Sequence, residues 1–376
     1  MSVRKRMSGL IVDYLVALPL GCVVALVWAN TLDESYYRFA HAAAFAVNDI
    51  GMVFFFALIT KEVAEATIRG GALHPWRRAA MPVAAAVGGV AVSVAFYLAF
   101  VHYIGEYMLE DGWVVACAVD IPGSYVIARM IFGRHPAVPF LLLLAISADA
   151  IGLACVAVLQ PIGQPHSMLG LLLMAGAIVG AFVLRRSATK NFWWYLLGPG
   201  VLSWWGLYIA GVHPALALVP IVPFFPHGLR DEGLFEEPAP KAHDTLTLFE
   251  RWWRLPVEVI LFFFGLVNAG VPLHGLEAGS WGLPVAALGR PIGIVAAVGI
   301  ASLAGLHLPA RVGWRHVVVV GAIASIGLIF ALFFATAVMA PGTLLLELRL
   351  GALLTVFGGV FAVIAARILC VGRFAR

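Results

Sequence analysis

"ACAVDIPGSYV", residues 116–126, decides how this chain is read. Its flanks are apolar enough to lie in a bilayer, yet Asp120 stands two residues before Pro122 and three before Gly123. Pro122 has no N–H to give to a helix ladder and glycine is a poor helix former, so the backbone is expected to break beside the carboxylate. A broken helix exposes its peptide dipoles: the carbonyl end attracts cations and the amide end attracts anions. Where two such helices meet, a carboxylate can balance the positive ends. Asp120 is therefore placed to compensate helix dipoles near the bilayer midplane, the plainer alternative being a helix end in water.

The rest of the chain supplies the bilayer. Of its 376 residues 62% are hydrophobic and only 12% charged, about half the charged share of a soluble domain. Apolar runs of roughly 18 residues or more recur from end to end. They divide into about twelve spans, near 10–30, 43–66, 80–104, 113–132, 137–160, 167–185, 192–210, 213–226, 252–272, 282–303, 316–340 and 346–370. The fold class is an all-α polytopic membrane protein. The basic start precedes an apolar stretch too long for a signal sequence and is read as a retained first span. Cys22, Cys117, Cys155 and Cys370 lack metal-type spacing and read as small buried hydrophobes, and no cofactor is expected.

The net charge is +4, but its distribution matters more. One side of the membrane receives Arg4, Lys5, Arg6, Arg69, Arg77, Arg78, Arg129, Arg134, Arg185, Arg186 and Lys190. The same side receives Arg230, Lys241, Arg251, Arg254, Arg311, Arg315, Arg367, Arg373 and Arg376. The other receives only Arg38 and Arg349, with acids such as Glu106, Glu110 and Asp111. The positive-inside rule then makes both termini cytoplasmic. The basic residues orient the chain and form no nucleic-acid site. A hydrophilic cytoplasmic loop at 227–251 divides the spans, within a single transporter domain covering 1–376. Two three-span units, near 80–160 and 282–370, each have an interrupted middle member, at "VDIPGS" and at "VGAIASIGLIF" with Gly321 and Gly327. An odd number of spans turns one unit over relative to the other, the pattern of an inverted-repeat transporter. Close helix packing is the alternative use for these glycines.

Asp149, in "LLLLAISADAIGLACVAVL", sits mid-span with no proline nearby and no basic neighbour in sequence. A charge there costs about 2.5–3.5 kcal/mol or more, so it should face a cavity or a partner. Such a carboxylate can exchange a proton for a metal ion, and its hard oxygens suit Na⁺ or Li⁺, bound transiently by Asp149 and Asp120. Ser147 adds an oxygen only if the backbone leaves the regular helix. Arg290 is the cationic counterpart, with a structural Asp149–Arg290 salt bridge as the plain alternative. Lys61 and Glu65 are four apart and can pair, with Glu62 about one face away, while Lys61 itself is expected to be solvated at the interface. His213 begins a short span and reads as a capped interfacial histidine in preference to a proton carrier, and Asn268 should hydrogen-bond across helices. Nucleotide loops and hydrolytic Ser/His/Asp arrangements are missing, which argues for a transporter over an enzyme.

Together "VWAN", "AVNDIGMVFFF", "KEV", "MPVAAAVGG", "DGWVVACAVDI", "GVHPALA", "LVNAGV", "LGRPIGI" and "GAIASIGLIFALFFA" resemble the bacterial NhaA-type Na⁺/H⁺ antiporters along nearly the whole chain. The resemblance implies twelve helices, discontinuous helices 4 and 11, and exchange of a monovalent cation for protons at the midplane of the bacterial inner membrane. Asp120 matches the aspartate of the broken fourth helix, preceded by Val119 in place of threonine. Two adjacent aspartates of the family's helix five reduce here to Asp149, which can stand for either one. Arg290 replaces the helix-ten lysine and stays protonated across any usable pH. Glu62 matches a funnel glutamate, followed by Ala64, Glu65 and Ala66 where the family has lysine, arginine and glutamate. Glu250 and His213 resemble residues associated with pH response, and with Glu62 and Glu65 they are the candidates for the cytoplasmic funnel. Between spans one and two there is no room for the family's β-hairpin, so any oligomer would form by another route. Two functions follow. One is an exchanger of altered stoichiometry, electroneutral at one proton per cation. The other is an NhaA-like protein that has left Na⁺ exchange, to move another solute or to serve as a non-transporting subunit or sensor.

Overall fold

The apolar runs become helices and the prolines become their interruptions. The structure, a computed structural model, describes residues 3–67, 76–159, 168–187, 189–226, 244–273 and 277–375. Among these residues there is no strand. Among the described residues six helices are long and apolar enough to cross a bilayer by themselves, and two bent helix pairs, each counted as one span, raise the number to eight. The protein is thus an all-α polytopic membrane protein. Most of the loop expected at 227–251 lies outside the described residues, as do Arg69, Arg230, Lys241 and Arg376. The part that is described is largely helical, since Thr245–Asn268 already covers Glu250 and Arg251.

One expected span is not a helix. Within 213–226 only two short 3-10 turns form, Pro214–Leu216 and Val222–Phe224. Pro214, Pro220, Pro223 and Pro226 remove four N–H donors from this short stretch, so a continuous ladder cannot close. Burial compensates in part: Ala215, Ala217 and Ile221 are fully buried, and the Ser203 hydroxyl donates to Ala217 O at 2.7 Å.

The chain forms two compact units, Met1–Gly71 with Ala157–Gly270, and Ala72–Val156 with Val271–Arg376. In the first, helix Val3–Thr31 packs along Thr245–Asn268. A single residue, Leu32, separates Val3–Thr31 from the next helix, Asp33–Ala44, which runs through a π-helical segment, Phe45–Gly51, into Met52–Thr67. The expected cross-helix bond of Asn268 is made: its amide donates to Asn48 Oδ1 at 2.8 Å.

In the second unit, Trp76–Ile104 lies against Gly282–Leu303. Their backbones touch at glycines, since a Cβ on Gly88 would come within 2.6 Å of Gly293 O. Two interrupted spans complete the unit. Tyr107–Cys117, a 3-10 helix, and Ile121–Phe132 meet at a bend of 53°. Trp314–Ile323 and Leu328–Val338 meet at 47°. The two breaks touch each other: Asp120 N–H donates to Ile326 O at 2.7 Å and the Ser124 hydroxyl to Ile323 O at 3.2 Å. The glycine question divides between its two answers. Gly321 is a packing position, because a Cβ there would sit 2.7 Å from Pro291 Cα. Gly327 belongs to the break, where it precedes Leu328–Val338 and lets Ala118 O approach.

Candidate functional site

The first interruption follows from local chemistry. Ala118 turns the chain into extended backbone after Cys117, and helix resumes at Ile121 with Pro122 in its first turn and Asp120 as its N-cap residue. The Val119 N–H is therefore outside any helix. Asp149, on the unbroken helix Ala137–Leu159, accepts it through Oδ1 at 2.8 Å. Both carboxylates are buried, Asp149 to 1% and Asp120 to 5% exposure. Asp149 Oδ2 and Asp120 Oδ1 have no hydrogen-bond partner. A buried acceptor left unsatisfied costs about 1–3 kcal/mol, more when charged, so these two oxygens are where a proton or a cation gains most. Gly123 makes room for the other Asp120 oxygen, since a Cβ there would lie 2.8 Å from Asp120 Oδ2.

Arg290 holds the other end of the break. Its guanidinium donates to Cys117 O at 3.2 Å, to Ala116 O, and through Nε to the buried Ser93 hydroxyl at 3.3 Å. Ala116 and Cys117 supply carbonyls at the C-terminal end of the 3-10 half-helix, where a cation is favoured. Among the described residues no ion pair within 4.0 Å joins Arg290 to Asp149, so the salt bridge that is the plain alternative is not made. The reason is geometric: the carbonyls exposed by the break take the planar donor fork first. The first interrupted span thus has a cation at its carbonyl end and a carboxylate at its amide end. The second is served by neutral hydroxyls, with Thr355 Oγ1 accepting Gly327 N–H at 3.2 Å and Ser325 Oγ donating to Gly321 O at 3.1 Å.

A separate charged cluster lies in the unit containing Met1–Gly71 and Ala157–Gly270. Lys61 contacts Glu62 at 3.0 Å, Glu65 at 2.8 Å and Glu250 at 2.8 Å. The pairing with Glu65 follows the helical spacing, but Lys61 is not solvated as expected: its side chain is 2% exposed. Three carboxylates around one ammonium replace the water it gives up.

Residues 14–369 match the family model described as Na⁺/H⁺ antiporter 1. The chain belongs to the Na⁺/H⁺ antiporter 1 family. A relative named Na⁺/H⁺ antiporter NhaA from Desulfitobacterium hafniense (strain DSM 10664 / DCB-2) is 40% identical over 376 residues, covering 97% of this chain and 96% of the relative. The protein of the same name from Geotalea uraniireducens is 39% identical, with 97% of each chain covered. That from Jannaschia sp. is 34% identical, covering 96% of this chain and 98% of its own.

Within this antiporter-family chain the remaining candidates separate. Ser147 does not join Asp149. The helix stays regular through both, so two residues turn the side chains about 200° apart, and Ser147 Oγ donates back to Leu143 O at 2.7 Å. His213 stands before the 3-10 turn Pro214–Leu216, where its Nδ1 accepts Ala215 N–H at 3.3 Å, and it is buried. Ser93, Ser325 and Thr355 were not singled out from sequence. Their signal was a hydroxyl in an otherwise apolar span, which is too common to select them. Among the described residues no group of three or more His, Cys, Asp or Glu side chains is placed to hold a metal ion.

Proposed function

We propose that this family member exchanges Na⁺ or Li⁺ for protons across the bacterial inner membrane, with Asp149 as the exchanging carboxylate and both termini in the cytoplasm. The observation that carries the reading is the unpartnered pair of buried oxygens, Asp149 Oδ2 and Asp120 Oδ1, at the interruption of an apolar span. Family membership supports the substrates, and the hard carboxylate oxygens suit a small alkali cation as cargo. Asp149 alternates between proton and cation. The Val119 N–H holds its other oxygen and fixes the direction of the carboxylate. Asp120 stays charged against the amide end of Ile121–Phe132, a placement worth up to about 2 kcal/mol when partly buried. Arg290 keeps its charge throughout, occupied by the carbonyls of Ala116 and Cys117.

This division of labour leaves one titrating carboxylate in the cycle. One proton then leaves for each monovalent cation that enters, and exchange is electroneutral. The two interrupted spans lie in the inverted repeats near 80–160 and 282–370 of one transporter domain. The Lys61, Glu62, Glu65 and Glu250 cluster, with His213, forms the pH-responsive cytoplasmic funnel. The bilayer is the surrounding partner.

The test is exchange in proteoliposomes. Na⁺ or Li⁺ is expected to dissipate an imposed proton gradient, and absence of any cation-dependent flux would remove the exchange reading. An imposed K⁺/valinomycin potential then tests the stoichiometry. One net charge per cycle would shift the equilibrium ratio by about 2.3 kcal/mol per 100 mV, whereas an electroneutral cycle leaves it unmoved.

A further inference from the structure

Where the Arg290 guanidinium can reach is decided by the helix packed against its own, in the unit containing Ala72–Val156 and Val271–Arg376. Trp76–Ile104 and Gly282–Leu303 approach at Gly88, Gly89, Gly289 and Gly293, so closely that a Cβ on Gly289 would lie 2.9 Å from Val92 O. Arg290 is held in this contact. Its aliphatic stem passes Gly89, where a Cβ would lie 3.6 Å from Arg290 Cγ. One turn further along the same helix stands Ser93, fully buried, and its Oγ accepts Arg290 Nε–H at 3.3 Å.

A guanidinium is planar and rigid, so a bond at Nε leaves its two Nη groups little freedom. They meet the carbonyl end of the 3-10 helix Tyr107–Cys117, Nη1 donating to Cys117 O at 3.2 Å and Nη2 to Ala116 O. A competing target is close by. Asp149 Oδ1 holds the Val119 N–H, just beyond Cys117 in the chain, and Asp149 Oδ2 has no partner. A bidentate pair with an ionised carboxylate is the stronger bond, so an Arg290 free to turn would close on Asp149. We infer that Ser93 is a positioning residue for exchange: its buried hydroxyl sets Arg290 on the carbonyls of the break and keeps it from Asp149. The inference rests on exchange at Asp149, whose open oxygen is thereby left to the proton and the cation.

Ser93→Ala tests it, since alanine favours the helix and the variant keeps its fold. In proteoliposomes the apparent KM for Na⁺ and Li⁺ is expected to rise roughly tenfold, the worth of one hydrogen bond to a charged group. The kcat is expected to hold, because a saturating cation displaces the guanidinium from Asp149. Ser93→Thr keeps the hydroxyl and should restore the wild-type KM. Adding Ser93→Ala to Arg290→Met should change nothing further, because the serine acts only through the arginine. Solid-state NMR of the same vesicles reads the placement without transport, using isotope-labelled arginine side-chain nitrogens and cysteine carbonyl carbons. The contact that Arg290→Met removes is expected to vanish in Ser93→Ala and to return in Ser93→Thr. A wild-type KM in Ser93→Ala, a fall in kcat alone, or survival of the NMR contact would overturn the inference. Absence of cation-dependent flux in the wild type would instead remove the exchange reading, while the NMR contact alone decides whether Ser93 places Arg290.

Discussion

At the first interrupted span two carboxylates keep one oxygen each without a partner, while in the Lys61 cluster three carboxylates close on a single ammonium. Both regions carry more acid than base. In the first, the nearby cation is spent on backbone: Arg290 bonds the carbonyls of Ala116 and Cys117 and no carboxylate. In the second, the cation is the centre of the cluster and is almost completely buried, while the acids around it keep 11–18% exposure. The contrast separates two uses of charge in a membrane protein. A carboxylate left short of donors is ready to take a proton or an ion, and one closed on a lysine holds elements together.

The largest effect that would break this contrast comes from Asp149. Asp149→Asn keeps an acceptor for Val119 N–H, so the protein is expected to insert and fold, yet cation-dependent proton flux in proteoliposomes should fall to background. Ordinary exchange in the purified variant would remove Asp149 as the carrier.

Lys61→Met should act on stability. Removing one partner of a buried ion pair costs about 3–5 kcal/mol, here because three carboxylates are left facing one another. Thermal unfolding in lipid should show a large drop, partly recovered by adding Glu65→Gln. An unchanged melting temperature would mean that the cluster does not organise its unit.

Asp120→Asn should be milder than either, because an amide still screens part of the helix dipole. Loss of the charge is worth about 1–2 kcal/mol, read as a roughly 5- to 30-fold loss of apparent cation affinity. Complete inactivity of Asp120→Asn beside an active Asp149→Asn would reverse the two roles.

The smallest effect is expected at Ser147. Its hydroxyl is already bonded to Leu143 O, so Ser147→Ala should leave cation affinity unchanged in the flux assay. A clear loss of affinity would place its oxygen at the ion after all.

Much of this arrangement was legible locally. The interruption at Asp120 follows from the N–H that Pro122 lacks, and the Lys61–Glu65 pair follows from a spacing of four on a helix. Hydropathy misled at 213–226, where the residues are apolar enough to span but the prolines forbid the helix. The prolines are there in the sequence, and the four N–H groups they lack outweigh the apolarity of the stretch.

By itself, then, the sequence determined the properties that depend on neighbours along the chain: which stretches enter the bilayer, where two spans break, and that Asp149 would be buried. Only the tertiary structure decided which partner each charge meets. Arg290 is equally able to pair with Asp149 or to cap carbonyls, and the fold chose by bringing the open end of Tyr107–Cys117 to it. Glu250 reaches Lys61 because Thr245–Asn268 packs against Met52–Thr67. A charge fixes how strongly a residue needs a partner in a low-dielectric interior. Packing between segments distant in sequence fixes which partner comes within reach.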